Sequence, residues 1–143
     1  MSQDQFQSIF PSAEDLGIRS WGTETLLALV PKKYSVKRIE VKAGEKGGLQ
    51  YHHLKDEVGV LLEGQMIIRI VDSCGNLAER TVGPGTVFHF SPGVIHQTEA
   101  VTRVVYLEAS TPHFNDRVRV EKKLGLQEES GLPSTTIDEV ELR

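Results

Sequence analysis

The chain carries one cysteine, Cys74, in 143 residues. An internal disulfide is therefore excluded, and with it the reading of a small secreted domain held by bridges. Cys74 falls in the turn signal SCGN and is read as a small turn residue. No apolar run approaches the roughly 20 residues of a membrane-spanning helix. There is no excess of positive charge either: 16 Lys and Arg stand against 20 Asp and Glu, a net charge of -4. That balance argues against a nucleic-acid surface and against a polybasic membrane contact. The opening MSQDQFQSIFPSAEDLG lacks the basic start and apolar stretch of a secretory leader, so a cytoplasmic location is expected. No repeat of fixed period and no low-complexity tract occurs.

What is present is β texture. The length suits one domain with a real core. Short stretches rich in Val, Ile, Leu, Phe and Tyr alternate with Gly, Pro and Asn turn signals. They predict strands over 25–30, 34–42, 48–53, 58–62, 65–72, 78–82, 86–90, 95–100 and 102–108. Many short strands at close spacing mean an all-β sandwich or barrel of antiparallel strands. The stretch 65–72 is apolar on both faces and should be central in its sheet. Residues 1–20 read as an N-terminal arm with one helical turn at 12–16, where Ser12 could cap and Asp15 follows three residues on. Residues 21–123 form the single domain. Residues 124–143 are polar and read as a frayed tail or as an arm packed on a second subunit.

The chemistry concentrates in LQYHHLKDEVGVLLEG, which starts at Leu49 and holds Gln50, His52, His53 and Glu57. Some thirty residues later SPGVIH ends at His96. Imidazole, amide and carboxylate donors from two neighbouring strands suit one divalent transition metal: Zn is favoured, with Mn, Fe, Ni or Co also compatible. A carboxylate such as Glu57 pointing into a small barrel needs a cationic partner, which favours an occupied site.

Both stretches have the spacing of the two cupin motifs. Glu57, six residues and Gly64 fit the end of the first; Gly85, Ser91-Pro92-Gly93 and His96 fit the second, with Ser91 at its first Pro position and Ala100 at its Asn position. The resemblance implies the cupin fold, a double-stranded β-helix or jelly-roll barrel. Two ligand registers are compatible with the first motif, because side chains two apart on a strand share a face. One is Gln50, His52, Glu57 and His96; the other is Tyr51, His53, Glu57 and His96. The first is preferred, since Tyr is a rare ligand.

Further stretches narrow the likeness. Trp21-Gly22, YSVKRIEVKAG from Tyr34, LQYHH, SPGVIH and NDRVRVE from Asn115 to Glu121 resemble, in order, the cupin domain of type II mannose-6-phosphate isomerases. That family carries W-G, F-x-V-K-R-I-x-V-x-x-G, L-Q-x-H-H-H-R-x-E, P-x-G-V-I-H and D-D-I-V-R-x-E-D. This chain departs from it at Leu54, Lys55, Val58 and Gly59, where the family has His, Arg, His and Trp. The resemblance implies a metal-dependent isomerase or epimerase of a sugar or sugar phosphate, working through an enediolate. It places Lys37 and Arg119 where a phosphate or carboxylate would be received, with Tyr51 and Tyr106 as candidate lining. Glu57, His53 and His89 are the candidate proton-transfer groups. Lys55 is read as a rim residue and His113 as structural or exposed. Two other functions fit the same donors: a non-haem Fe(II) cupin dioxygenase, and a non-catalytic sugar-binding cupin. A homodimer is expected, because sheet edges are usually covered and the arm with 25–30 offers spare strand.

Overall fold

A computed structural model describes Gln5 and residues 7–143. Residues 1–4 and 6 of the expected arm lie outside the described residues. Period-two alternation sets the inner face. In β3 (Tyr34–Val41) Ser35, Lys37, Ile39 and Val41 are buried, while Val36, Arg38 and Glu40 between them are half-buried. The remaining strands are β1 (Glu14–Arg19), β2 (Gly22–Val30), β4 (Gln50–Tyr51), β5 (Glu57–Glu63), β6 (Met66–Val71), β7 (Leu77–Val82), β8 (Val87–Phe90), β9 (His96–Ala100), β10 (Val104–Ser110) and β11 (Val118–Arg119). Short 3-10 turns follow at Lys122–Leu124 and Ile137–Glu139.

The strands form two antiparallel sheets. One has the order β1-β2-β3-β10-β5-β8 and the other β11-β4-β9-β6-β7. Strand β6 lies between β9 and β7, as its two apolar faces require. Ile39, Val41, Leu61, Met66, Ala100 and Val104 close the space between the sheets at one end, with Trp21, Phe88 and Tyr106 packed on them. Each fully buried aliphatic chain there contributes roughly 1.5–3 kcal/mol. Gly59 makes room for this layer: a Cβ on it would come within 2.1 Å of the Phe88 ring. The other end of the sandwich stays open, and polar side chains converge on it from both sheets.

The two ends of the chain depart from expectation. Residues 12–16 do not form a helical turn; 14–19 pair with β2 as an edge strand, Glu14 opposite Leu26 and Arg19 opposite Gly22. The register shifts between Asp15 and Ile18, where Gly17 takes φ +112°. An edge strand needs no apolar alternation, so the pattern is faint, and the free edge of β2 outweighs a weak capping signal. The stretch 25–30 is consequently not spare: β2 is paired on both sides. The polar 124–143 segment folds back on its own chain. Thr135 N–H donates to Arg117 O at 2.9 Å, Asn115 Nδ2 donates to Glu139 O at 2.7 Å, and Glu141 N–H donates to Asn115 Oδ1 at 2.8 Å.

Candidate metal centre and its cavity

The open end of the sandwich is a cavity of about 540 Å³. Strand pairing brings its polar side chains together. Gln50 opposes His96 across β4 and β9, and both line the cavity. Past β4 the chain turns through 52–56 before Glu57 opens β5. Asp116, 2% exposed, holds that turn. Its carboxylate accepts the backbone N–H groups of His53 (2.9 Å), Leu54 (2.7 Å) and Lys55 (2.9 Å). Burial would raise this carboxyl, but the three N–H donors outweigh burial and hold it below its usual range.

One donor atom from each of His52, Glu57 and His96 lies within 4.8 Å of the others, and all three residues are buried. His52 Nε2 is 3.1 Å and His96 Nε2 3.4 Å from the same oxygen, Glu57 Oε1. The opposite ring nitrogens face backbone carbonyls: His52 Nδ1 is 2.5 Å from Asp116 O and His96 Nδ1 is 2.9 Å from Val94 O. A carbonyl only accepts, so each Nδ1 carries the proton. In a neutral ring Nε2 then presents a lone pair. Two imidazole lone pairs and a carboxylate oxygen converge with no proton among them, a donor set that a divalent cation satisfies. Phe90 stacks on the His96 ring at 4.0 Å between centroids and fixes its plane.

The second oxygen of Glu57 is used differently. Lys55 Nζ lies 3.1 Å from Glu57 Oε2 and 2.5 Å from Glu108 Oε1. Lys55 is thus buried inside the cavity, not on its rim: strand β5 begins at Glu57, and the Asp116-held turn aims Lys55 inward. Burial alone would raise Glu57, but the Lys55 ammonium beside it outweighs burial and holds the carboxyl well below the usual range. Burial, then the nearby Glu57, push Glu108 up to about 7, against the attraction of Lys55 and Lys37. Glu108 Oε1 has the ion pair with Lys55 but no aligned hydrogen bond among the described residues. Tyr106 is raised well above its ordinary value by burial and by Glu108, so its hydroxyl stays protonated.

His53 and Tyr51 do not line the cavity. They pack edge to face at 5.9 Å, and His53 Nε2 is 3.0 Å from Thr135 O in the folded-back tail. His89 does not line it either; its side chain is 55% exposed and pairs with Asp56 Oδ1 at 2.7 Å. Alternation in β8 turns Phe88 and Phe90 inward and His89 outward. His113 bonds Thr111 Oγ1 at 2.8 Å. Lys37 lines the cavity, 2.9 Å from Glu24 Oε1 and 4.0 Å from the Phe114 ring centroid. Arg119, 6% exposed at its side chain, is bonded to Glu121 by Nε (3.2 Å) and Nη2 (2.6 Å), and also to the Glu129 carbonyl. Glu108, Arg117, Asp116, Arg19 and Glu24 line the cavity and are not among the site residues expected from the sequence. Glu108 is two residues after Tyr106 on one strand, so period two alone would have placed it on Tyr106's face.

The family model for the cupin domain matches residues 37–113, more than half of the chain. The chain belongs to the cupin family. Among solved structures it is similar to the capsular polysaccharide assembling protein CapF from Staphylococcus aureus, at TM-score 0.61 and 20% identity, over 73% of this chain and 30% of that one. CapF with the inhibitor 3-isopropenyl-tropolone aligns at TM-score 0.61 and 21% identity over 69% of this chain and 30% of that one. KdgF from Halomonas sp. aligns at TM-score 0.58 and 14% identity, over 68% of this chain and 85% of that one. This chain thus spans under a third of CapF, and at these identities the likeness is one of fold. No curated protein matches the chain by sequence.

Proposed function

We propose that this cupin is a metal-dependent isomerase or epimerase of a sugar or sugar phosphate. The observation that carries the reading is the convergence of His52 Nε2, His96 Nε2 and Glu57 Oε1 on the wall of the cavity. These three residues, with Gln50 beside them, would hold one divalent ion, Zn, Mn, Fe, Ni or Co. Such an ion, when bound, supplies Lewis acidity toward a carbonyl oxygen. The chain's own part is to bind and to carry protons. Isomerisation of an aldose moves a proton between adjacent carbons, so a cavity group must take it up and return it. Glu108 and Tyr106 line the cavity and are suited to that exchange; His53 and His89 do not line it. Lys55 keeps Glu57 anionic and oriented. The resemblance to type II mannose-6-phosphate isomerases supports the same substrate class.

A second reading rests on the same geometry. Two His and one carboxylate also suit non-haem Fe(II) and oxygen chemistry. Metal analysis combined with two assays tests both readings. Interconversion of aldose and ketose sugars or their phosphates, without oxygen uptake, is the expected result. Oxygen uptake with Fe(II) and no interconversion would replace the isomerase by a dioxygenase. Sugar binding without turnover would leave a non-catalytic cupin.

A further inference from the structure

Charge is unevenly balanced around the cavity. Near the metal ligands it is compensated, with Lys55 between Glu57 and Glu108. Arg119 is likewise committed to Glu121. Farther across the same sheet one carboxylate serves several cations. Glu24 Oε1 is 2.9 Å from Lys37 Nζ, and Glu24 Oε2 is 3.9 Å from Arg19 Nε. Arg117 lines the same cavity and has no carboxylate oxygen within 4.0 Å among the described residues. Among the described residues its guanidinium donates to Pro133 O at 3.4 Å and Phe114 O at 3.3 Å, both long. Burial pulls Arg117 below its ordinary value; Arg19 and Arg119 act the same way, against Glu24 and Asp116. A half-buried guanidinium is a fixed fork of donors suited to phosphate or carboxylate. Glu24 is taken up by Lys37 and Arg19, which leaves Arg117 without a paired carboxylate in a partly desolvated wall, a charge that a bound anion would neutralise.

We propose that Arg117, with Arg19 and Lys37, forms an anion subsite that receives the phosphate or carboxylate of a sugar-sized ligand whose other end reaches His52, Glu57 and His96. The proposal rests on the reading of the cavity as a sugar site and adds where the ligand's charge lies. Spacing across the sheet sets the ligand's shape. Glu24 is on β2, Lys37 on β3, Glu108 on β10 and Glu57 on β5, four adjacent strands with Lys37 directly opposite Glu108. Three strand spacings are about 14 Å, shortened by long side chains reaching inward. The anion therefore belongs at the end of the ligand remote from the metal donors, not beside them.

The placement is particular to this chain. In the NDRVRVE stretch Arg117 stands where the resembling family pattern D-D-I-V-R-x-E has Ile. The fold does not ask for a cation there. The pattern's own Arg corresponds to Arg119, whose donors are taken up by Glu121 and the Glu129 carbonyl.

The test uses the metal-loaded full chain and titrates inorganic phosphate, a hexose 6-phosphate, a hexuronate and the neutral hexose. Calorimetry and the fluorescence of Trp21, which lines the cavity, report binding. The phosphorylated or carboxylated sugar is expected to bind at least about tenfold more tightly than the neutral one, and the ratio between the two anions identifies which group fits. Arg117→Gln should weaken the anionic sugar by about ten- to a hundredfold and leave the neutral sugar unchanged. Arg19→Gln, on edge strand β1, should shift binding in the same direction by less, and it carries the test should Arg117→Gln fail to fold. Equal binding of charged and neutral sugars by the wild type, no anion binding at all, or unchanged anion affinity in the variants would overturn the subsite. Turnover is scored separately: anion binding that depends on Arg117 without interconversion removes the isomerase reading and leaves the subsite standing.

Discussion

Lys55 Nζ lies 3.1 Å from Glu57 Oε2, the oxygen that the two imidazoles leave to it. Glu57 is thereby divided: Oε1 faces His52 and His96, and Oε2 is neutralised from behind. The same ammonium separates Glu57 from Glu108. Removing it should have two opposite effects. In Lys55→Met, two buried carboxylates lose their shared cation, so the metal-free protein should lose about 3–5 kcal/mol. A divalent ion should then bind more tightly, since a nearby positive charge is gone and negative charge is uncompensated. Thermal midpoints with and without Zn or Mn check both. A variant whose midpoint gains no more from metal than the wild type would contradict this account of Lys55.

Metal content after dialysis separates the ligands. Glu57→Ala, His52→Ala and His96→Ala should each come through with little bound metal, while His53→Ala should keep it. The reason is geometric: His53 faces Thr135 in the tail and does not line the cavity. Loss of metal from His53→Ala with retention in His52→Ala would reinstate the Tyr51 and His53 register.

Asp116 ties that turn to the C-terminal third of the chain through three backbone N–H groups and its own carbonyl. Asp116→Ala should lower stability by about 3 kcal/mol, roughly 10 °C in Tm, because buried N–H groups lose their acceptor. The pH dependence follows from the lowered carboxyl. Its stabilisation is fully present above the unfolded value, about 4, and is lost as pH falls through the lower folded value. Acid unfolding between pH 4 and 2 should therefore be less steep in Asp116→Asn than in the wild type. Urea midpoints across that range measure it.

The all-β architecture and most strands were legible because alternation and turn residues are strong in the middle of the chain. The convergence of His52, Glu57 and His96 was legible as spacing. Choosing between His52 and His53 was not, since adjacent strand residues point to opposite faces and the sequence does not say which face is inner. Asp116 decides that here, from 63 residues away in sequence. Lys55 is buried, against the rim position expected of it, and a Lys is buried only with a partner. Its partner Glu108 lies on another strand. The strand 14–19 and the folded-back tail were missed for a related reason: both are polar, and their order comes from hydrogen bonds to distant backbone.

Arg119 tests how far a motif position carries its role. At 6% exposure, its guanidinium is bonded to Glu121, itself 2% exposed. Arg119→Ala leaves that carboxylate buried without its cation and should cost about 3–5 kcal/mol of stability. Glu121 is held below its ordinary range by Arg119 against burial, so the loss should be largest at neutral pH, where the orphaned carboxylate is charged. Anion selectivity in the folded fraction should persist, since Arg119 already has its partner. Denaturant melts and calorimetry with a sugar phosphate separate the two effects. A stable Arg119→Ala protein that no longer prefers the phosphate would return the anion role to Arg119.

The last prediction is that the protein is a homodimer, joined through the outer face of β5 and β8. One face of an antiparallel sheet normally meets water and is polar. Here the register places Val60 opposite Val87, Val60 opposite Leu107 and Val58 opposite Ala109, so these residues share the outer face. Val87 is 63% exposed, Leu62 45% and Val58 37%. This apolar patch reaches β8, an edge strand of its sheet. Covering both the patch and the edge with a second copy, about two-fold, would remove two liabilities at once. A stable dimer of ordinary size buries roughly 800 Å² on each partner, within reach of a three-strand face. Light scattering at micromolar concentration should give twice the chain mass of 15.9 kDa. Val87→Asp should give a folded monomer, its thermal midpoint lowered by no more than dimerisation contributes, because Val87 is solvent-facing within one chain. A wild-type monomer would end the claim, and a dimer untouched by Val87→Asp would move the interface to the opposite edge of that sheet, β1.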